Sequence, residues 1–549
     1  MKHILVADES GTPLYYDRDD GQILCPLLMA FQLFVNNYFG ERARAVATVG
    51  SMGKPGVQVA LQIHGRLYFV AISDQGESPA ELDTELQLIH DLLKGIVGPR
   101  AFDPSKQSVT LWQNKQHHMT FLRLADTGLE LCERYPNILL RSLEQIEANA
   151  SIKTACARCL QAEYSQLPEF RAGVLYVGTR LLTHYLPGDV LSEEKPHSLS
   201  QSGDFTAYDA FLLMLHVQSL FRPAEAKRDA TGTKLIVSPD NNDPMCVPYD
   251  ALSASSRMGP RRMAGSGGTP GSLSRSTPRS RARPVAEVEG VSTSPDGGLL
   301  SAGWLPPELQ KTAKVSLFYL SNGLAHIIYS AEILPEIFLV VALRQSNKRL
   351  IEQRKGLARA HVNCRNLLDR DYAGYLLTKG LSNVPMLGYA SSVPGIVHFI
   401  FVDRVRNIAI APSFAPLYGQ SAGQSHTAQD IKRLVYKLIQ LSHTHLAHGC
   451  TAMVVRADGF HFVYHMVIDT SSGGAAGKDD LSVVTKKIGT KPWIVSPQLY
   501  SDLITTFKSA YCYELYAVYL GVLSPTSIAY KNKQLVKVLS SSLGQQFIK

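Results

Sequence analysis

The sequence has no hydrophobic run long and clean enough to cross a bilayer. Its most apolar stretch, 324–343, is interrupted by Glu332, Pro335 and Glu336, whereas a spanning helix needs roughly 20 predominantly apolar residues. Any membrane contact is therefore expected to be peripheral. The opening, Met1 to Asp8, holds four consecutive apolar residues before an acid, too few for a secretory core. A cytoplasmic chain is the expectation. Cysteine is scarce as well: eight residues lie scattered at 25, 132, 156, 159, 246, 364, 450 and 512. A reducing compartment leaves such thiols as small buried hydrophobes. The one close pair, Cys156 and Cys159, lacks the second pair that a structural zinc site requires, so no metal is expected there.

Strong charge is also missing. The formal +8 is half accounted for by the segment 255–303, whose seven arginines against three acids give +4. The rest is nearly balanced, which argues against a nucleic-acid groove. The stretch 254–303 is also poor in large apolar residues and rich in Gly, Ser, Pro and Arg. It reads as a disordered linker with a flexible-chain span of roughly 40 Å, dispensable for folding. Over the whole chain, 45% hydrophobic and 19% charged residues make an ordinary globular balance, and 549 residues exceed what one core serves.

What is present is repetition. At the N-terminal end, 4–7 and 14–16 read as strands, 24–39 as a dense apolar helix, and 45–49, 57–63 and 67–72 as three more strands. Leu82, Leu86, Ile89, Leu93 and Ile96 then mark an amphipathic helix. The C-terminal end repeats the order, with strands at 397–402 and 408–411, a helix carrying Ile431, Leu434, Val435, Leu438, Ile439 and Leu446, and a hairpin of 451–455 and 460–467 about Asp458-Gly459. A further strand near 486–495 and helices at 497–523 and 527–547 complete it. A weaker middle copy has leading strands at 234–237 and 245–247, strands at 315–320, 325–329 and 337–343, and a helix at 345–369. Helices over 141–221 would join the first copy to the second, with Phe211, Leu212, Met214, Leu215, Val217 and Leu220 mostly buried.

Catalytic motifs fail on context. Gly419-Gln-Ser421-Ala-Gly423 has the spacing of a serine-hydrolase elbow, with His426 nearby, but Pro412 and Pro416 stand where a strand should run into the turn. A hydrolase at Ser421 remains only as an alternative. Gly50 to Pro55 is too short for a phosphate loop and puts Pro55 where a hydroxyl should reach magnesium. His443, His445 and His448 lack zinc-helix spacing and a nearby acid. They read as solvated helix histidines. No catalytic residue, metal or cofactor is expected.

The segment Pro394 to Arg404 with Ala411 to Phe414, the opening Met1 to Ala7, the run Leu67 to Ile72, and Leu213 to Phe221 resemble the longin-domain family of the Hermansky–Pudlak syndrome type 1 subunits. The resemblance implies an α/β (α+β) fold of three longin-like modules, each a mixed, mainly antiparallel five-stranded sheet flanked by helices. It divides the chain into 1–140 (first longin domain), 141–222 (helical connector), 228–372 (second longin-like domain, interrupted by the linker) and 373–549 (third longin domain). It further implies a partner resembling the Hermansky–Pudlak syndrome type 4 protein, within the third biogenesis of lysosome-related organelles complex. Together the two would form a guanine nucleotide exchange factor for Rab GTPases of the thirty-two and thirty-eight subgroup. The setting would be vesicle trafficking to melanosomes and other pigment granules, with peripheral recruitment to endosomal or lysosome-related organelle membranes. A scaffold or tethering subunit without exchange activity is the alternative.

Helix 24–39 itself points to a partner. Leu24, Cys25, Leu27, Leu28, Met29, Phe31, Leu33, Phe34, Val35, Tyr38 and Phe39 exceed what one sheet face can cover. Leu14, Tyr16, Leu24, Leu27, Phe31, Phe34 and Tyr38 are therefore the expected heterodimer face.

Overall fold

The computed structural model describes residues 2–16, 21–39, 45–47, 56–74, 77–103, 115–146, 148, 150–165, 167–187, 205–221, 313–344, 350–370, 373–382, 393–414, 428–468 and 511–542. The linker 254–303, the segments 234–237 and 245–247, the loop holding Ser421 and the loop Gly50 to Pro55 lie outside the described residues. So does the stretch 486–495.

The first module forms as its pattern requires. Strands β1 (Lys2–Asp8) and β2 (Pro13–Tyr16) flank a turn in which Gly11 takes φ +80°, a conformation glycine adopts at no steric cost. Helix α1 (Gly21–Phe39) follows, then β3 (Ala45–Ala47), β4 (Gln58–His64) and β5 (Leu67–Ser73). Helix α2 (Pro79–Val97) starts at a capping box, in which Ser78 and Glu81 satisfy each other's backbone donors, an arrangement that fixes a helix start. Helix α3 (Lys115–Arg134) packs beside α2.

Beyond it come β6 (Leu143–Gln145), α4 (Ala150–Tyr164), β7 (Phe170–Val177), β8 (Arg180–Tyr185) and α5 (Ala207–Phe221). The expected helical connector over 141–222 is thus corrected: it contains three strands. Phe170–Val177 and Arg180–Tyr185 are buried on both faces, so neither shows the regular apolar–polar alternation of a half-wet strand, and by periodicity alone they resemble a buried helix. Gly178, at φ +55° between them, is the turn signal that distinguishes the two. The chain continues through β9 (Ala313–Tyr319), β10 (Ala325–Leu334), β11 (Ile337–Arg344), α6 (Leu350–Asp369) and α7 (Ala373–Ser382). It ends with β12 (Ile396–Asp403), β13 (Ile408–Ile410), α8 (Ala428–Ala447), β14 (Ala452–Ala457), β15 (Phe460–Ile468), β16 (Cys512–Leu520) and α9 (Pro525–Ser542). Within the helix expected over 497–523, residues 497–510 lie outside the described residues and Cys512–Leu520 is instead β16, a central strand whose side chains are buried in both directions.

One topology recurs three times. The strand orders are β2-β1-β5-β4-β3, β8-β7-β11-β10-β9 and β13-β12-β16-β15-β14. Within each set every neighbouring pair is antiparallel. One helix lies between the second and third strands (α1, α5, α8) and another follows the fifth (α2, α6, α9). The hairpin β7–β8 therefore occupies the place expected for strands at 234–237 and 245–247.

The second and third sets are fused. Strand β6 pairs in parallel with both β13 and β8, making a single eleven-stranded sheet. Asn407, at φ +53°, fixes the junction: its side chain donates to the Arg141 carbonyl at 2.8 Å, and its own carbonyl accepts from the Leu143 amide at 3.1 Å. Glu144 in β6 pairs with Arg180 in β8 at 2.9 Å.

The first module keeps its own sheet and docks through α2 and α3. Gly95 of α2 meets the buried Phe318 ring of β9, where an added Cβ would sit 2.2 Å from the ring. Gly95→Ala is expected to destabilise the chain by about 1–3 kcal/mol through overpacking, more than the roughly 1 kcal/mol gained in helix propensity. Thermal denaturation measures this, and an unchanged or raised midpoint would mean that the ring swings away freely.

Candidate partner interface

Helices α1, α5 and α8 hold equivalent places in the three repeats but differ in how they are covered. In α5 nearly every residue is buried, including Phe211, Leu212, Met214, Leu215, Val217 and Leu220, as its sequence leads one to expect. In α8 the apolar stripe Ile431, Val435, Leu438, Ile439 and Leu446 is buried. In α1, by contrast, Leu27 is 64% exposed, Phe31 42%, Phe34 51% and Tyr38 74%.

Those four residues fall at i, i+4, i+7 and i+11, which is one face of a helix. Phe34 and Tyr38 stack along it with ring centroids 4.5 Å apart, and Leu33 adds a fifth exposed apolar side chain at the flank. The opposite side of α1 faces the sheet through buried Met29 and Gln32. Both amide atoms of Gln32 are buried without a hydrogen-bond partner.

The neighbouring sheet edge differs in the same way. The second strands of the other two sets, β8 and β13, are both occupied by β6. Strand β2 pairs, among the described residues, with β1 on one side alone. An open strand edge offers a row of main-chain donors and acceptors to a second chain.

Of the residues expected on this face, Leu27, Phe31, Phe34 and Tyr38 lie together on the exposed row. Leu14 does not: it is buried in the first module's core, as is its neighbour Tyr15, whose hydroxyl donates to Asp126 of α3 at 2.9 Å. It is a core residue. Tyr16 and Leu24 lie in β2 and α1, and their side chains are outside the described residues. Leu33, absent from the expected set, belongs to the exposed surface; its position beside Phe34 in an apolar helix was the available signal.

Residues 2–123 match the family described as First Longin domain of FUZ, MON1 and HPS1. The N-terminal module is a longin domain of that family.

This longin domain is fastened to the third strand set by a buried ionic cluster. Lys2 Nζ lies 3.0 Å from Glu77 and 3.4 Å from Glu133, and also contacts Glu85. Lys432 of α8 lies 2.5 Å from Glu133, 3.7 Å from Glu77 and 3.8 Å from Glu85. Carboxylate oxygens of Glu77, Glu85 and Glu133 come within 4.8 Å of one another, a spacing a cation could use, but the two ammonium groups already supply the positive charge.

Burial raises the carboxyls of Glu85 and Glu81 above the ordinary range, Glu81 to about 7. Glu77 moves the other way, held down by Lys2 and Lys432 against the cost of burial. A raised folded-state pKa favours folding at pH below the unfolded value and loses that contribution as pH rises through the folded value. The Glu81 contribution therefore fades between about pH 4.5 and 7. Glu81→Gln is expected to raise the melting midpoint, relative to the parent chain, more at pH 8 than at pH 5. An equal difference at both pH values would contradict the assignment.

The longin domain also meets β6 and α5 through Asp91. Its carboxylate accepts from Arg141 at 2.5 Å and from the Tyr208 hydroxyl, and the Arg141 charge keeps it far below the ordinary carboxylate range in spite of burial.

The histidines of α8 need correction. His443 is buried rather than solvated, and desolvation pushes its imidazole down to about 4, so it is neutral at physiological pH. His445 is half-buried, with Nδ1 against the Leu441 carbonyl at 2.9 Å, and His448 is exposed. Among the described residues, the three-ligand cluster with metal-like spacing is the glutamate set above, not these histidines. No helix among the described residues is long and apolar enough to cross a membrane.

Proposed function

We propose that the chain is the longin subunit of a two-chain guanine nucleotide exchange factor for Rab GTPases of the thirty-two and thirty-eight subgroup, acting in the biogenesis of lysosome-related organelles. Its partner is a subunit resembling the Hermansky–Pudlak syndrome type 4 protein. The exposed row Leu27, Phe31, Phe34 and Tyr38, beside the open edge of β2 and within a longin domain of the FUZ, MON1 and HPS1 type, carries this reading. A second longin module seated there would cover the row.

Exchange of this kind needs no covalent chemistry. A GTPase releases nucleotide when a surface binds its empty, opened conformation more tightly than the loaded one, and each tenfold acceleration takes about 1.4 kcal/mol of such differential binding. One chain offers half of the paired platform, so it is expected to be inactive alone. Contact with membranes is peripheral and made by the assembled complex.

The test is release of a fluorescent GDP analogue from a Rab of this subgroup with the chain alone, the partner alone, and both. Release with the pair and not with either chain supports the proposal. Full exchange by this chain alone overturns the two-chain mechanism. No exchange by the pair on any Rab leaves a scaffold or tether.

A further inference from the structure

The cysteine spacing singled out Cys156 and Cys159, but the fold brings Cys159 to a different thiol. Helices α4 and α6 lie against each other over the second strand set. Arg359 Nε reaches Glu163 at 2.6 Å, and Asn363 Nδ2 donates to the same carboxylate at 3.5 Å. One turn before Glu163, Cys159 of α4 lies within hydrogen-bonding reach of Cys364 of α6, the residue that follows Asn363. Cys364 is fully buried, Cys159 is half-buried at the rim of the same core, and Cys156 is buried beneath it. We propose that Cys159 and Cys364 form a reversible, peroxide-driven disulfide that staples α4 to α6.

The geometry suits a two-thiol reaction. Cys159 is reachable from solvent, and Cys364 waits behind it as the second thiol, the placement found where sulfenic acid is captured as a disulfide. The hydrogen bond from Cys364 stabilises sulfur charge on Cys159 and brings its thiol down to about 7, against the opposing effects of burial and of Glu163. The same bond and burial push Cys364 well up. This lowering favours the nucleophilic thiolate on Cys159, while the Glu163 charge beside it is paired with Arg359.

The steps balance. The Cys159 thiolate attacks one oxygen of hydrogen peroxide, the O–O bond breaks, and the departing hydroxide takes a proton to leave as water, giving a sulfenic acid. The Cys364 sulfur attacks the Cys159 sulfur, the S–O bond breaks, and the hydroxyl leaves as a second water with the Cys364 proton. Two thiols lose two electrons, and one peroxide gains them. A dithiol reductant reverses the bond. The product would join residues far apart in sequence and restrain the unfolded chain, which raises stability.

The test uses the full chain and is independent of its partner. After treatment with hydrogen peroxide at pH 7, non-reducing proteolysis and mass spectrometry should show the peptides of Cys159 and Cys364 linked. The melting midpoint should rise, then return on adding dithiothreitol. Cys364→Ser should halt at a sulfenic acid on Cys159 that dimedone traps, and Cys159→Ser should give neither product. Cys450, exposed and outside this pair, serves as the internal control, and Cys450→Ser should change nothing. A link between Cys156 and Cys159, a cross-link through any other cysteine, or Cys159 still reduced when Cys450 is consumed would each overturn the proposal.

Discussion

Replacing Phe31 and Tyr38 together by Asp is expected to abolish capture of the proposed partner chain while leaving the fold in place. Both side chains are largely exposed, Phe31 at 42% and Tyr38 at 74%, so their loss removes little from the chain's own core. Substitutions at such positions usually change stability by no more than about 0.5 kcal/mol. At a covered interface the same aromatics act as anchors, each worth about 2–4 kcal/mol, so losing both, and burying two carboxylates in their place, should weaken binding by at least about a thousandfold. Co-purification and titration calorimetry measure the affinity, and thermal denaturation monitors the fold. Wild-type affinity in the double variant would remove α1 from the interface. Lost binding together with a collapsed melting midpoint would show that the row belongs to the core instead.

Lys432→Met should destabilise the chain strongly, by about 3–5 kcal/mol, because it takes one cation from a site where Glu77 and Glu85 stay buried. The lysine is itself 5% exposed and touches three carboxylates, so the methionine fills the space without the charge. The loss should appear as an early transition in calorimetry at pH 7, since the longin domain and α8 are the parts this cluster joins and a chain of several cores need not melt in one step. It should shrink as pH falls, because protonating the remaining carboxyls relieves the uncompensated charge. A midpoint equal to the parent's at pH 7 would show that Lys2 alone balances the glutamates.

Much of this fold is legible in the sequence where a strand or helix has one wet face. The stripe of Leu82, Leu86, Ile89, Leu93 and Ile96 marks α2, Asp458-Gly459 marks the β14–β15 hairpin, and the helix read at 527–547 overlaps α9, described over Pro525–Ser542. Elements wrapped on both sides were misread. Cys512–Leu520 is a central strand between β12 and β15, and its mostly apolar run, interrupted by the buried Glu514, lacks the alternation that identifies a strand. The same wrapping hid β7 and β8 and with them the opening of the second repeat.

Of the candidate interface, the surplus of apolar residues on α1 was visible as a count, but which of them are spare was not. Leu14 and Met29 are claimed by the core, and Leu27, Phe31, Leu33, Phe34 and Tyr38 are not, a distinction set by how α1 lies on its sheet. The ionic cluster was beyond reach of any local pattern, since Lys2 and Lys432 meet the same glutamates from opposite ends of the chain. Likewise Cys159 has its nearest short-range neighbour in sequence at Cys156 but its hydrogen-bond partner at Cys364.

Hydrogen–deuterium exchange of the chain, free and mixed with the proposed longin partner, tests the central claim most directly. Backbone amides of α1 across residues 27–38 and of the β2 edge across 14–16 should exchange rapidly in the free chain and become protected in the complex, while α5, already buried, should change little. A stable complex in which α1 and β2 exchange as fast as in the free chain would contradict the account.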